Sequence, residues 1–375
     1  MKFKTLLIVL FITMLSSIQA QNAETDFRVT LTQDSKGVII TKYIGSSMTV
    51  HIPDTIQGMP VRVIGNGAFT STYTSVYGSV EYRGMPITNV VISEGIVSIW
   101  SNAFRSCESL TSITIPNTVT YLGENVFKDC ASLTSITIPD NVTTIGAEAF
   151  KASGIRSITW PSKVSTITSR ASSQYDSGMF QDCWNLQTVV IQEGVTSIGK
   201  NTFRDCRSLA SITIPNTVKS IEEYAFFNCT SLKSITIPES ITSIDISTFS
   251  GSGLISITWP SGIPDIAGGM FSGCKNLQTV LIPEGVTSIY SRAFRGCTAL
   301  TSITLPSTIK SIGLETFSNC SSLTTVIIPD SVSTIKFSTP WVLDTNSYLG
   351  AFQNCNNLSL ASQALLRRLS YIGRF

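Results

Sequence analysis

Charge is scarce in this chain of 375 residues: 13% are Asp, Glu, Lys or Arg, and histidine occurs once, at His51. One imidazole cannot build a His-based triad, a His metal cluster or a paired His acid and base. Carboxylates are scattered over turns (Asp129, Asp140, Glu193, Asp205, Glu284), and no pair sits in a strand setting that would aim both at one cleft. A glycine-rich phosphate cradle ahead of a long helix is missing as well. No catalytic, cofactor-binding or metal residue is assigned, and the chain reads as a non-enzyme. Basic clusters are also lacking, so nucleic acid and anionic membrane surfaces find no electrostatic footprint. Beyond the N-terminus no segment approaches the run of about 18 apolar residues that a membrane helix needs.

The first 20 residues read as an export signal. Lys2 and Lys4 form a basic start, Leu6 to Leu15 an apolar core, and Ser16-Ser17-Ile18-Gln19-Ala20 a small-residue cleavage region ahead of Gln21. A retained N-terminal anchor is the alternative, and the lack of a Cys near the cut argues against a lipoprotein. Cleavage takes two lysines from 26 basic residues and leaves 24 against 24 acidic ones, a net charge of zero. The expected location is secreted or cell-surface, with no membrane insertion after cleavage.

What the chain has in abundance is repetition. Cys130-Ala-Ser-Leu-Thr-Ser-Ile-Thr-Ile-Pro-Asp-Asn-Val-Thr-Thr-Ile-Gly-Ala-Glu-Ala-Phe150 returns in nearly the same words at Cys107–Phe127, Cys206–Phe226 and Cys297–Phe317. Cys107 to Cys130 is 23 residues, as are Cys206 to Cys229 and Cys274 to Cys297. A fixed period with Leu-x-x-Ile-x-Ile at its centre is the leucine-rich-repeat signature. A longer period overlies it. Two Cys-less coils, Ala152-Ser-Gly-Ile155 and Gly251-Ser-Gly-Leu254, occupy matching places in quartets 99 residues apart, each with a Trp (Trp160, Trp259) at the second inward strand position. These indoles are expected as core plugs.

The nine cysteines look like a disulfide framework in an exported protein, but each lies three residues after a Phe and three before a Leu. A residue locked to one phase of the repeat stacks on itself from coil to coil, so an inert ladder of buried free thiols is expected. Occasional disulfides between neighbouring coils are the alternative.

Within Leu110-Thr-Ser-Ile-Thr-Ile-Pro116 the period of two points Ile113 and Ile115 inward and Ser112 and Thr114 outward. Ten strands are expected, centred on Val90, Ile113, Ile136, Ile158, Val189, Ile212, Ile235, Ile257, Val280 and Ile303, with an eleventh at Val326. Proline ends each, because it cannot donate to a ladder. The Ala-Phe-x-x-Cys segment reads as a short helical turn on the far side. The expected fold is a strand-rich, α/β-type repeat solenoid: a right-handed stack of about 11–12 coils, one parallel β-sheet on the concave face and turns or helical turns on the convex face.

Divided along the chain, 1–20 is the signal, 21–63 a capping β-hairpin with the first coil, 64–360 the solenoid and 361–375 a C-terminal cap. Insertions break the register near 70–86, 168–178 and 337–350. They carry Tyr73, Tyr77, Tyr82, Tyr175, Trp341 and Tyr348, and loops on a rigid scaffold are where binding residues concentrate.

The repeat Leu-Thr-Ser-Ile-Thr-Ile-Pro-x-x-Val-x-x-Ile-Gly-x-x-Ala-Phe-x-x-Cys resembles the BspA-like leucine-rich repeats of bacterial surface proteins, from residue 37 to about 360. The lead-in Val38-Ile-Ile-Thr-Lys-Tyr43 and Ile52-Pro-Asp-Thr-Ile-Gln-Gly-Met-Pro-Val-Arg-Val-Ile-Gly65 also looks like that family's N-terminal coil. The resemblance implies adhesion to host proteins or other microbes, coaggregation, or a role as a surface antigen.

The leading expectation is therefore an exported recognition protein that binds a protein on a host or microbial surface. Partner contacts are assigned to the outward rows Ser112, Ser135, Ser157, Thr188, Ser211, Ser234 and Ser256, and Thr114, Thr137, Thr159, Val190, Thr213, Thr236, Thr258 and Leu281. Val91, Val190 and Leu281 interrupt the second row with apolar anchors. Tyr175, Trp341 and Tyr348 are added from the insertions. A glycan or mucin partner is the alternative, since hydroxyl rows and aromatic loops suit a sugar equally. An ice-ordering lattice and a passive envelope role are further readings.

Overall fold

The computed structural model describes residues 21–75, 79–164, 166–167, 178–332, 334–335 and 350–368. The export signal, Tyr175, Trp341 and Tyr348 lie outside them.

Each coil contributes an inward Phe, and the twelve stack into one spine from Phe69 through Phe203 to Phe352. Successive ring centres stand 4.7 to 5.8 Å apart and the rings are nearly parallel. Tyr43 and Phe27 continue the stack into the N-terminal hairpin. The inward Ile, Leu and Val of every coil pack around this spine. At roughly 1.5–3 kcal/mol per fully buried large side chain, the spine and its aliphatic flanks drive the stacking.

The strand face is parallel as expected, but where one continuous sheet is expected it runs as four separate ladders. Thr49–Ile52, Asn89–Ile92 and Ser112–Thr114 pair in parallel, as do Ser157–Trp160, Thr188–Ile191 and Ser211–Thr213. Ser256–Thr258 pairs with Thr279–Leu281, and Ser302–Thr304 with Thr325–Ile327. The strands expected at Ile136 and Ile235 are not formed. Ser135 keeps one bridge, to Ser157, and 234–236 pairs with nothing as a strand.

Each lapse lies one coil before a shortened connection. There Ser153-Gly154-Ile155 replaces the longer Cys-x-x-Leu connection, so Ile136 to Ile158 is 22 residues instead of 23. The short connection draws its backbone onto the coil before it. Gly154 donates its N–H to the Cys130 carbonyl at 3.0 Å, and a Cβ there would stand 2.1 Å from the Ala131 oxygen. Gly253 repeats both features, against Cys229 at 3.1 Å and the Thr230 oxygen at 2.0 Å. Trp160 and Trp259 fill the same two coils. Both are buried, edge-on to Phe180 and Phe271, with their indole N–H groups given to the carbonyls of Val164 and Ile263.

Where one sheet is expected, the chain also carries a second parallel ladder. Val38–Tyr43, Met59–Ile64, Ser98–Ile99, Tyr121–Leu122 and Thr144–Ile145 form its first section. Two-residue strands continue it to Thr334–Ile335. The Val-x-x-Ile half of the repeat pairs because it too is extended and stacked in register.

The third side is made of tight turns, not helical turns. Backbone N–H groups alternate in their use: Ala103, Arg105 and Cys107 bond within the turn, while Asn102, Phe104 and Ser106 bond to Glu124, Val126 and Lys128 of the next coil. A helical turn would spend these donors internally and leave the coils unjoined. The alternation needs left-handed residues, and Asn102 and Ser106 both have φ of 58°.

The strand face is capped at both ends, and the second ladder begins in a hairpin. At the start, strands Phe27–Leu31 and Val38–Tyr43 form an antiparallel hairpin. Asn22 covers the edge of Thr49–Ile52, its Oδ1 accepting the His51 N–H at 2.7 Å and its own N–H reaching the His51 carbonyl at 3.1 Å. At the other end the helix Leu360–Arg368 brings the Ser362 hydroxyl to the Val326 N–H at 3.1 Å. Exposed edges would otherwise template pairing with other chains.

Candidate functional site

The outward row positions are set by the strand pleat, and the structure places all fifteen strand-face residues assigned from the sequence in solvent. Register aligns them laterally. Ser157, Thr188 and Ser211 share one row, and Thr159, Val190 and Thr213 the next. Ser112 is tied to its neighbour, giving its hydroxyl to Asn89 Oδ1 at 2.6 Å. The threonines one place earlier turn theirs sideways onto the neighbouring coil: Thr111 caps the Thr88 carbonyl at 2.8 Å and Thr324 that of Thr301 at 3.0 Å. The rows are therefore chemically distinct. One serves the coil before it, and the next two face outward.

A shallow depression of about 560 Å³ opens on this face between Ser112 and Val190. Its rim carries Ser135, Thr137, Ser157, Thr159 and Thr188, with Asp140 and Gln192 at the strand ends. Ile113, Ile136, Ile138 and Ile158 form its floor, because strand pairing lapses there and the inward side chains are reached from outside. The site offers hydroxyl donors and acceptors over an apolar floor, without a charged side chain in either outward row.

Three apolar residues stand out in the second row: Val190 at 46% exposure, Leu281 at 60% and Ile327 at 52%. Ile327 was missed in the sequence reading, although its register with Thr304 marks it as outward. Val91 is half-buried. Trp184, 60% exposed on the turn leading into Thr188, was also missed; it follows a ladder Cys directly, a phase that is solvent-exposed at Glu108, Arg207 and Lys275 too.

The cysteines offer no chemistry here. All nine are free and buried. Each donates its S–H to the carbonyl of the spine Phe of the preceding coil, as Cys183 does to Phe150 at 3.0 Å and Cys206 to Phe180 at 3.1 Å. Burial pushes the thiols up, to about 11 at Cys183 and Cys274 and about 12 at Cys107 and Cys355. A thiol held neutral is a poor nucleophile and a poor metal ligand. Among the described residues no group of three or more His, Cys, Asp or Glu is placed to hold a metal, and no helix is long and apolar enough to cross a membrane.

Comparison with known proteins supplies the context. A BspA type leucine rich repeat region of six copies matches residues 74–177, 173–301 and 242–339. A leucine-rich repeat protein from Bacteroides ovatus has a similar structure, with a TM-score of 0.62 and 23% identity, covering 93% of this chain and 98% of that one. A leucine rich cell surface protein from Faecalibacterium prausnitzii is 29% identical over 83% of this chain and 95% of its own, with a TM-score of 0.46. A search of curated proteins finds no match. With the repeat region matched over most of its length and the stacked coils in place, the chain belongs to the BspA type leucine-rich-repeat family.

Proposed function

We propose that the chain is an exported, non-enzymatic recognition protein that binds a protein on a host or microbial surface through its outward strand rows. The observation that carries this reading is the uncharged hydroxyl face with Val190, Leu281 and Ile327 projecting from it. Large side chains left in solvent on a rigid ladder lose little conformational freedom when a partner covers them, so their burial goes into affinity. Apolar anchors surrounded by polar contacts are the usual pattern of a protein interface. The export signal read from Lys2 to Ala20 supports an extracellular setting. Binding of the mature chain to immobilised extracellular-matrix proteins and to whole bacteria tests the reading. Val190→Asp and Leu281→Asp, each burying a charge at the interface, are expected to weaken binding at least about tenfold. Saturable binding that both variants leave intact would remove the strand face from the interface; no saturable binding to any surface would sink the proposal.

A further inference from the structure

Away from the strand face, the insertion after Phe69 forms an antiparallel hairpin of Thr70–Thr74 and Val80–Gly84. Thr72 lies opposite Tyr82 and Tyr73 opposite Glu81, so Tyr73 and Arg83 share one face and Tyr82 takes the other. The hairpin is fastened to the solenoid. Tyr82 stacks on the Arg105 guanidinium, 3.9 Å from ring centre to Cζ. Gly84 donates its N–H to the Ser106 carbonyl at 3.1 Å, and Met85 to that of Phe69 at 3.0 Å. Lys42 reaches the Thr70 carbonyl. A Cβ at Gly84 would stand 2.0 Å from the Ser106 oxygen, so the close approach depends on glycine.

Between hairpin and coil lies a preformed cleft of about 370 Å³, bordered by Tyr73, Arg83, Pro86, Glu108 and Ser109. That volume sits at the small end of ligand sites, which run from about 300 to 1,000 Å³. Tyr73 is 49% exposed, with the Arg83 guanidinium 5.5 Å from its ring centre. Arg83 and Glu108 are exposed, and neither makes an ion pair among the described residues. An open aromatic ring, a guanidinium donor, a carboxylate acceptor and a hydroxyl therefore converge on one small space. The opposite charges at its border cancel, which favours a neutral ligand.

We propose that this cleft binds a neutral pyranose at the end of a glycan. The apolar C–H face of the sugar packs on Tyr73, its hydroxyls donate to Glu108, and they accept from Arg83. The site is separate from the strand face and does not depend on that face binding protein. The mature chain is applied to a printed array of neutral and acidic glycans, and the preferred free oligosaccharide is then titrated calorimetrically. Tyr73→Ala and Glu108→Gln are each expected to weaken binding at least about tenfold with the thermal midpoint unchanged, while Tyr73→Phe and Val190→Asp retain it. A flat array overturns the proposal, and so does sugar binding that survives Tyr73→Ala or is lost in Val190→Asp.

Discussion

A thiol at Cys206 does two things at once. It fills a small apolar space between coils, and it gives a second hydrogen bond to the Phe180 carbonyl, which already accepts the Cys183 N–H. The two Cys-less coils show what else fits. Ser153 and Ser252 take the same phase, three residues after Phe150 and Phe249, and their hydroxyls lie 3.5 and 3.3 Å from the sulfurs of Cys183 and Cys274. Both serines are buried, so the ladder is continuous with oxygen in place of sulfur. The site therefore asks for a small side chain that donates. Cys206→Ser is expected to cost about 1 kcal/mol and Cys206→Val about 1–3, because Val loses the donor and presses its second methyl into the ladder. Urea unfolding of the two variants checks the order, and a Val variant at least as stable as Ser would show that the bond contributes nothing.

The coil is the next unit, and its shortest version decides where the strand face opens. Gly154 has no room for a Cβ, so Gly154→Ala is expected to destabilise the protein by about 1–3 kcal/mol and to disturb the bridge between Ser135 and Ser157. Urea unfolding, with amide exchange at Ile136 and Ile158, tests both halves; a neutral effect would mean the coils separate more easily than their backbone contact implies. The outward rows were legible in the sequence because the pleat has a period of two and the inward Ile, Leu and Phe never leave phase. The lapse at Ile136 was not legible, since Ser135-Ile-Thr-Ile-Pro139 has the same pattern as its paired neighbours. What sets it apart is one residue missing from the following coil, where Gly154 packs against the backbone of Cys130 and Ala131. The choice between turns and helical turns on the third side is decided in a related way. Ala favours helix, while Asp129, Asp182, Asp205, Asn228 and Asn319 in the second left-handed column tolerate the φ they adopt; the first column takes the same φ with Glu148, Tyr224 and Arg292 beside Asn102 and Asn125, so composition marks it only in part. Helix propensity loses to the need of each coil to bond the next.

Across the whole molecule, stability is the sum of what each coil gains from its neighbours, and the thiols make that sum sensitive to alkali. Unfolded thiols lose their protons near pH 9, whereas folding holds Cys183 and Cys274 neutral to about 11 and Cys107 and Cys355 to about 12. Below pH 9 both states keep the proton and stability is independent of these groups. Above it the unfolded chain binds fewer protons than the folded one, so stability falls as pH rises towards the folded values. A shift of two units, as at Cys183, corresponds to about 2.7 kcal/mol once pH has passed 11. The effect is repeated down the ladder, since burial also raises Cys130 and Cys206. Urea midpoints are therefore expected to be flat from pH 7 to 8.5 and to drop steeply from 9 to 11. Serine at 183 and 274 does not titrate in this range, so the double variant Cys183→Ser, Cys274→Ser should start less stable and lose less over the same interval. Parallel curves for the two proteins would mean that the alkaline loss comes from other groups and that the ladder thiols do not couple ionisation to folding.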